Sequence, residues 1–177
     1  GSEDITFTAT DPKGASGSET VTFTIESVNN PPEVTKIQDQ SVDEGKKFTV
    51  IKLDDYVSDL DHPKDQIVWE TTITPVGKDN ADGELSVEIS KDRIATVVIP
   101  DTNWHGAAKI TFTATDGEFA SVKTDAAFTV KSVNDNPIVQ KAPDQTIDEK
   151  NTFETINLGD LVSDADDDQS KIKWAVT

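Results

Sequence analysis

Acidic and amide side chains gather at a few points along this chain. Asp59-Leu60-Asp61 places two carboxylates two residues apart, with Asp65 four residues on. Asp116 closes an alternating segment, Glu44 lies in an Asp43-Glu44-Gly45 turn, and Asp101 and Asn103 share another loop. Asn29-Asn30 and Asn134-Asp135-Asn136 each run into proline. Hard cations such as calcium take about six to eight oxygens from carboxylates, side-chain amides and backbone carbonyls. An Asp-x-Asp pair in an irregular loop can converge on one ion. Two carboxylates about 4 Å apart repel by ~4 kcal/mol at an effective dielectric of about 20, so convergence without a cation is unfavourable. Asp59, Asp61 and Asp116 form the set expected to act together. For any one of these residues the competing reading is a solvated loop acid or a side-chain-bonded turn.

Other chemistries are poorly supported. Asp79-Asn80-Ala81-Asp82-Gly83 imitates part of a calcium loop but lacks the full spacing and terminal Glu, and reads as a hairpin turn. His62 and His105 are too few and too far apart along the chain for a typical zinc site. His105 follows Trp104 in a Gly-ended corner, where a packing role is expected. No nucleophile elbow or placed Ser-His-Asp set occurs, and abundance of Asp and Glu alone does not make a glycoside-hydrolysing pair. A non-enzymatic role is expected. A net charge of −18 disfavours nucleic acid and anionic membrane surfaces, where phosphate contacts need Lys and Arg. No segment approaches the ~18 apolar residues of a membrane span. The chain has no cysteine, which excludes disulfides and thiolate metal sites.

The elements that must position these carboxylates have period two. Ile110, Phe112 and Ala114 alternate with Thr111, Thr113 and Thr115. The pattern predicts strands at about 40–44, 47–53, 66–72, 84–90, 93–99, 108–115 and 122–132, with no amphipathic helix. Seven short strands punctuated by turn residues predict an all-β, antiparallel Greek-key β-sandwich. Trp69, Phe48, Leu53, Ile110, Phe112 and Phe128 are its expected core. In such a sandwich the loops after the second and sixth strands lie at one end, beside the preceding junction.

The pattern also repeats. Ile5-Thr6-Phe7-Thr8-Ala9-Thr10-Asp11 returns as Ile110-Thr111-Phe112-Thr113-Ala114-Thr115-Asp116, an offset of 105 residues. Phe48, Asp59, Asp61 and Trp69 return at the same offset as Phe153, Asp164, Asp166 and Trp174. A fixed period in constant register marks a tandem array. The expected organisation is residues 1–30 as the C-terminal part of one repeat, 31–135 as a complete repeat and 136–177 as the N-terminal part of a third. An excerpt from a longer array explains the partial ends; their alternative is head-to-tail pairing between molecules through unpaired strand edges.

The ordered motifs resemble cadherin repeats, and the cadherin-like tandem repeats of large bacterial surface adhesins. Val133-Asn134-Asp135-Asn136-Pro137 is similar to the cadherin linker, and Asp59-Leu60-Asp61 to its Asp-x-Asp loop. Ala114-Thr115-Asp116-Gly117 resembles the Ala-x-Asp motif, and Glu44 stands at the family's first-loop Glu. Asp101 and Asn103 stand at the Asp-Arg-Glu motif, with Asn103 in place of the Glu. The resemblance implies calcium between successive repeats. It implies Asn29, Asn30, Asp59, Asp61 and Asp116 near the first junction. Near the second it implies Glu44, Asp101, Asn103, Asn134, Asp135, Asp164 and Asp166. Asn30 in place of the second junction's Asp135, and Ser27 and Ser132 in place of another carboxylate, imply fewer or weaker ions than cadherins carry.

Together these readings lead to an expected extracellular, cell-surface role as a calcium-stiffened spacer of a bacterial adhesin or fibre, with neighbouring repeats of the same chain as partners. A carbohydrate- or protein-binding β-sandwich module is the alternative, favoured if Trp or Tyr side chains line an exposed face. A weaker third reading is an accessory domain of an enzyme.

Overall fold

The computed structural model describes residues 1–77 and 83–176. The expected hairpin turn at Asp79-Asn80-Ala81-Asp82 lies outside the described residues. The chain is all-β, its only helical segments being short 3-10 turns among the described residues. In chain order the strands are β1 (Ser2–Thr10), β2 (Ser16–Thr24), β3 (Glu33–Val34), β4 (Gln40–Asp43) and β5 (Ile51–Lys52). There follow β6 (Val57–Ser58), β7 (Val68–Val76), β8 (Ser86–Ile89), β9 (Ile94–Val98), β10 (Gly106–Thr115) and β11 (Ser121–Lys131), then β12 (Ile138–Val139) and β13 (Val162–Ser163). Among the described residues no helix is long and apolar enough to cross a membrane.

Strands β3 to β11 build one sandwich. One sheet has the order β4-β11-β10-β7 and the other β5-β9-β8, with β3 and β6 paired beside them. β10 is antiparallel to both β7 and β11, whereas β4 runs parallel to β11. Alternation decides which side chains enter the core. Ala108, Ile110, Phe112 and Ala114 of β10 point inward, as do Ala126, Phe128 and Val130 of β11, opposite Ala95 and Val97 of β9. Phe48 meets Phe128 edge-on, with ring centroids 5.1 Å apart at 88°. All six expected core residues are buried, and Trp69 and Trp104 lie in the same cluster.

One expected strand changed shape. Most of 47–53 is irregular, and only Ile51–Lys52 pairs. A 3-10 turn at Leu53–Asp55 then bends the chain, closed by the Tyr56 N–H on the Leu53 carbonyl at 3.0 Å. The Gln40 side chain replaces a strand partner there: it accepts from the Thr49 N–H at 2.8 Å and donates to the Thr49 carbonyl at 3.0 Å. The pairs β3 and β6 are too short for an alternation signal, which needs about four residues.

Local structure recurs at the sequence offset. Gln145 bonds Glu154 as Gln40 bonds Thr49. β12 pairs with β13 as β3 pairs with β6. β1 and β2 form the same hairpin as β10 and β11, but every residue of both is exposed. Ile5, Phe7, Val21 and Phe23 therefore leave uncovered the face that β10 and β11 bury.

One ion pair locks the sheet edge. Arg93 takes φ 55° at the β8–β9 turn, and its carbonyl accepts from the Leu53 N–H at 3.0 Å. Its guanidinium donates twice to Asp54, at 2.7 and 2.8 Å. The Arg93 hydrogen bonds hold the Asp54 carboxyl below its ordinary value against a raising effect of burial. A carboxyl lowered on folding stabilises above the unfolded value, near pH 4, and loses that contribution as pH falls through the folded value. Asp54→Asn is expected to lower stability by about 1 kcal/mol at pH 7, with the difference from the parent chain shrinking as the pH is taken well below 4. Urea midpoints at neutral and acid pH check this; an equal loss at both would remove the carboxylate from the explanation.

Candidate metal centres

Two groups of ligand-type side chains converge at the two ends of the sandwich. At the first, one ligand atom each from Asp59, His62 and Asp116 lies within 4.8 Å of the others. Asp59 follows β6, and its Oδ1 accepts from the backbone N–H groups of Asp61 and His62, both at 2.8 Å. That turn brings His62 back over Asp59, with Nδ1 3.5 Å from Oδ1. Asp116 follows β10, and its Oδ1 accepts from the Glu118 and Ala120 N–H groups, both at 2.9 Å. Asp116 is buried, with only 3% of the residue exposed.

The preceding junction closes over this end. Asn29 donates through Nδ2 to Asp116 Oδ2 at 2.8 Å. The Asn30 backbone N–H and side-chain Nδ2 both donate to Asp61 Oδ2, at 2.7 and 3.0 Å. The Asn29 bond is the main cause that holds the Asp116 carboxyl below its ordinary value, and the Asn30 backbone bond does the same for Asp61. Both groups are thus held as carboxylates.

At the opposite end Glu44, Asp135 and Asp166 each place a carboxylate oxygen within 4.8 Å of the others. Glu44 comes from the sandwich, Asp135 from the junction and Asp166 from the segment beyond it. The Asp135 N–H donates to Asp166 Oδ2 at 2.6 Å, the counterpart of Asn30 on Asp61. Asp164 Oδ1 accepts from the Asp166 and Asp167 N–H groups at 2.9 and 3.0 Å, the counterpart of Asp59. Asn134 turns its Nδ2 onto the Asp135 carbonyl at 2.7 Å.

The remaining two expected ligands are not brought in. Asp101 is absent from the Glu44 group, and both it and Asn103 are exposed. Asp101 Oδ1 instead accepts from the Asn103 N–H at 2.9 Å, an Asx turn inside its own loop. His105 of that loop approaches Glu44 instead, Nδ1 to Oε2 at 3.7 Å. His62 is the residue that sequence reasoning misses. A lone imidazole carries no spacing signal, but its equivalent at the offset of 105 is Asp167, so one position holds a ligand-type residue in both repeats.

A test of fit for a cation is whether polar atoms are buried without partners, since each such atom costs about 1–3 kcal/mol. Five side-chain atoms meet that description among the described residues. Four of them are Asn29 Oδ1, Asp59 Oδ2, His62 Nδ1 and Glu44 Oε2, all at the two ends; the fifth is Trp69 Nε1. The Asp59 and Glu44 side chains are only 1% and 6% exposed. The residues present fit a bound cation at both ends.

A two-layer antiparallel sandwich with one strand parallel to its neighbour, and polar sites at both ends, defines an Ig-like β-sandwich module. The chain matches the bacterial Ig domain family over residues 29–130, more than half its length, and belongs to that family. Bacterial Ig domains are non-enzymatic structural modules typical of extracellular and surface proteins. No curated protein matches the sequence.

Proposed function

We propose that this chain belongs to a tandem array in a bacterial surface adhesin or fibre, where it acts as a rod-like spacer stiffened by calcium. In this reading residues 1–30, 31–135 and 136–177 belong to three successive cadherin-like repeats, and the neighbouring repeats are the partners. The observation that carries it is the set of buried, partnerless oxygens on converging carboxylates at both ends of the sandwich. Bound calcium would supply positive charge and coordination to those oxygens. The second junction offers Glu44, Asp135 and Asp166, with Asp164 ordering the loop that presents Asp166. The first offers Asp59, Asp61, Asp116 and the Asn29 amide, and Asn30 sets the linker against Asp61. In each case the linker residue is bonded to the Asp-x-Asp loop, so ordering the loop orders the hinge.

The binding-module alternative loses its main support, because Trp69 and Trp104 are buried and form no stacking platform on the sandwich. The uncovered apolar faces of β1 and β2 suit cover by other strands of the same array, or by a second molecule pairing head to tail.

Hydrogen exchange tests the stiffening directly. Peptides spanning Asn29–Pro32 and Asn134–Pro137 are expected to exchange more slowly in millimolar calcium than in chelator, with magnesium as control. Peptides from the centres of β10 and β11 should not change. Equal exchange at both junctions with and without calcium would remove calcium from the mechanism.

A further inference from the structure

We propose that the first junction, besides the calcium assigned to it above, is a site for a nitrogen-accepting transition metal, with zinc as the probe, and that zinc therefore distinguishes the first junction from the second. The inference rests on the junctions being cation sites and adds what each one takes. Calcium binds oxygen ligands. The Glu44, Asp135 and Asp166 group is all oxygen, and His105, whose Nδ1 lies 3.7 Å from Glu44 Oε2, stands outside it. The Asp59, His62 and Asp116 group contains an imidazole, and imidazole with carboxylates suits zinc and its neighbours in the first transition row.

Two further observations separate this group from an ordinary acidic loop. Asp59 Oδ2 is buried without a partner on a side chain only 1% exposed, while Oδ1 of the same carboxylate is fully used by two backbone N–H groups. The His62 Nδ1 is also buried without a hydrogen-bond partner. An ion pair between His62 and Asp59 would use Nδ1 and Oδ1 at 3.5 Å, yet leave Asp59 Oδ2 unanswered. One cation among the three side chains answers both orphaned atoms and the carboxylate pair at once. The imidazole is also held in place. Gly117 leaves room for it, since a Cβ there would come within 3.1 Å of His62 Cδ2 and Nε2. The second junction provides an internal comparison, because its equivalent of His62 is Asp167.

The test uses the whole 177-residue chain, stripped with chelator and titrated with zinc, calcium or magnesium alone. The chain has only two histidines, so the imidazole signals of His62 and His105 are separable by nitrogen-edited NMR. One equivalent of zinc is expected to move the His62 signals and leave those of His105 in place. His62→Gln is expected to weaken zinc binding by at least about tenfold, with calcium binding through Glu44 unchanged. His62→Asp should likewise lose zinc and make the first junction resemble the second. Zinc that leaves the His62 imidazole unmoved, shifts His105 instead, or binds His62→Gln as tightly as the parent chain would overturn the proposal. Should the variants fail to fold, the parent chain's imidazole signals still decide. Loss of calcium binding with zinc binding intact would sink the calcium reading and leave this one standing.

Discussion

Phe128→Ala is expected to cost about 3–5 kcal/mol of stability, whereas Phe23→Ala costs less than about 1 kcal/mol. The two residues occupy the same position of the repeat, 105 residues apart. Phe128 is fully buried and packs edge-on against Phe48. Removing its ring leaves a cavity between two sheets that share one core, and the surrounding strands are hydrogen-bonded on both sides and collapse poorly. Phe23 sits on the β1–β2 hairpin with 52% of its surface exposed, and so has little burial to lose. Chemical denaturation of the two variants beside the parent chain measures the contrast. A loss at Phe23 comparable to that at Phe128 would show that the hairpin's apolar face is covered in solution. Concentration-dependent light scattering would then identify the cover as a second molecule.

Calcium at a hundredfold excess over its dissociation constant is expected to raise stability by about 2.7 kcal/mol, if it binds only the folded chain. Glu44→Gln combined with Asp166→Asn should abolish the gain contributed by the second junction. Asp59→Ala with Asp61→Ala should do so at the first, and Glu19→Gln on the exposed hairpin should leave the shift intact. The physical reason is the geometry of Glu44. Its Oε2 is buried without a partner while two further carboxylates approach within 4.8 Å. Neutralising two of the three relieves their repulsion and removes the ion's ligands together. The variant carrying Glu44→Gln and Asp166→Asn is therefore expected to be no less stable than the parent chain in chelator, and less stable than it in calcium. Calorimetry in calcium, magnesium and chelator reads this out. A melting temperature indifferent to calcium, or a calcium shift that survives both double variants, would count against junction binding.

The sandwich was legible because alternation is a local property. Ile110, Phe112 and Ala114 on one face of β10 and Thr111 and Thr113 on the other determine which side is buried before any partner is known. The offset of 105 was equally plain, and with it the recurrence of the Gln40 and Gln145 bonds and of the short strand pairs. The clustering of acids in the turns around Asp59, Asp116, Glu44, Asp135 and Asp166 was likewise visible in the sequence. Tertiary structure alone decided which of them meet. Asp101 accepts from the Asn103 N–H within its own loop, while His62, silent in the sequence, folds back over Asp59. Convergence of side chains from separate loops depends on sheet packing and on which backbone donors each carboxylate has already taken, and neither is a property of neighbouring residues. For the same reason Phe128 and Phe23, alike in type and repeat position, differ in burial: composition determined the apolar face, but only the packed second sheet covers it.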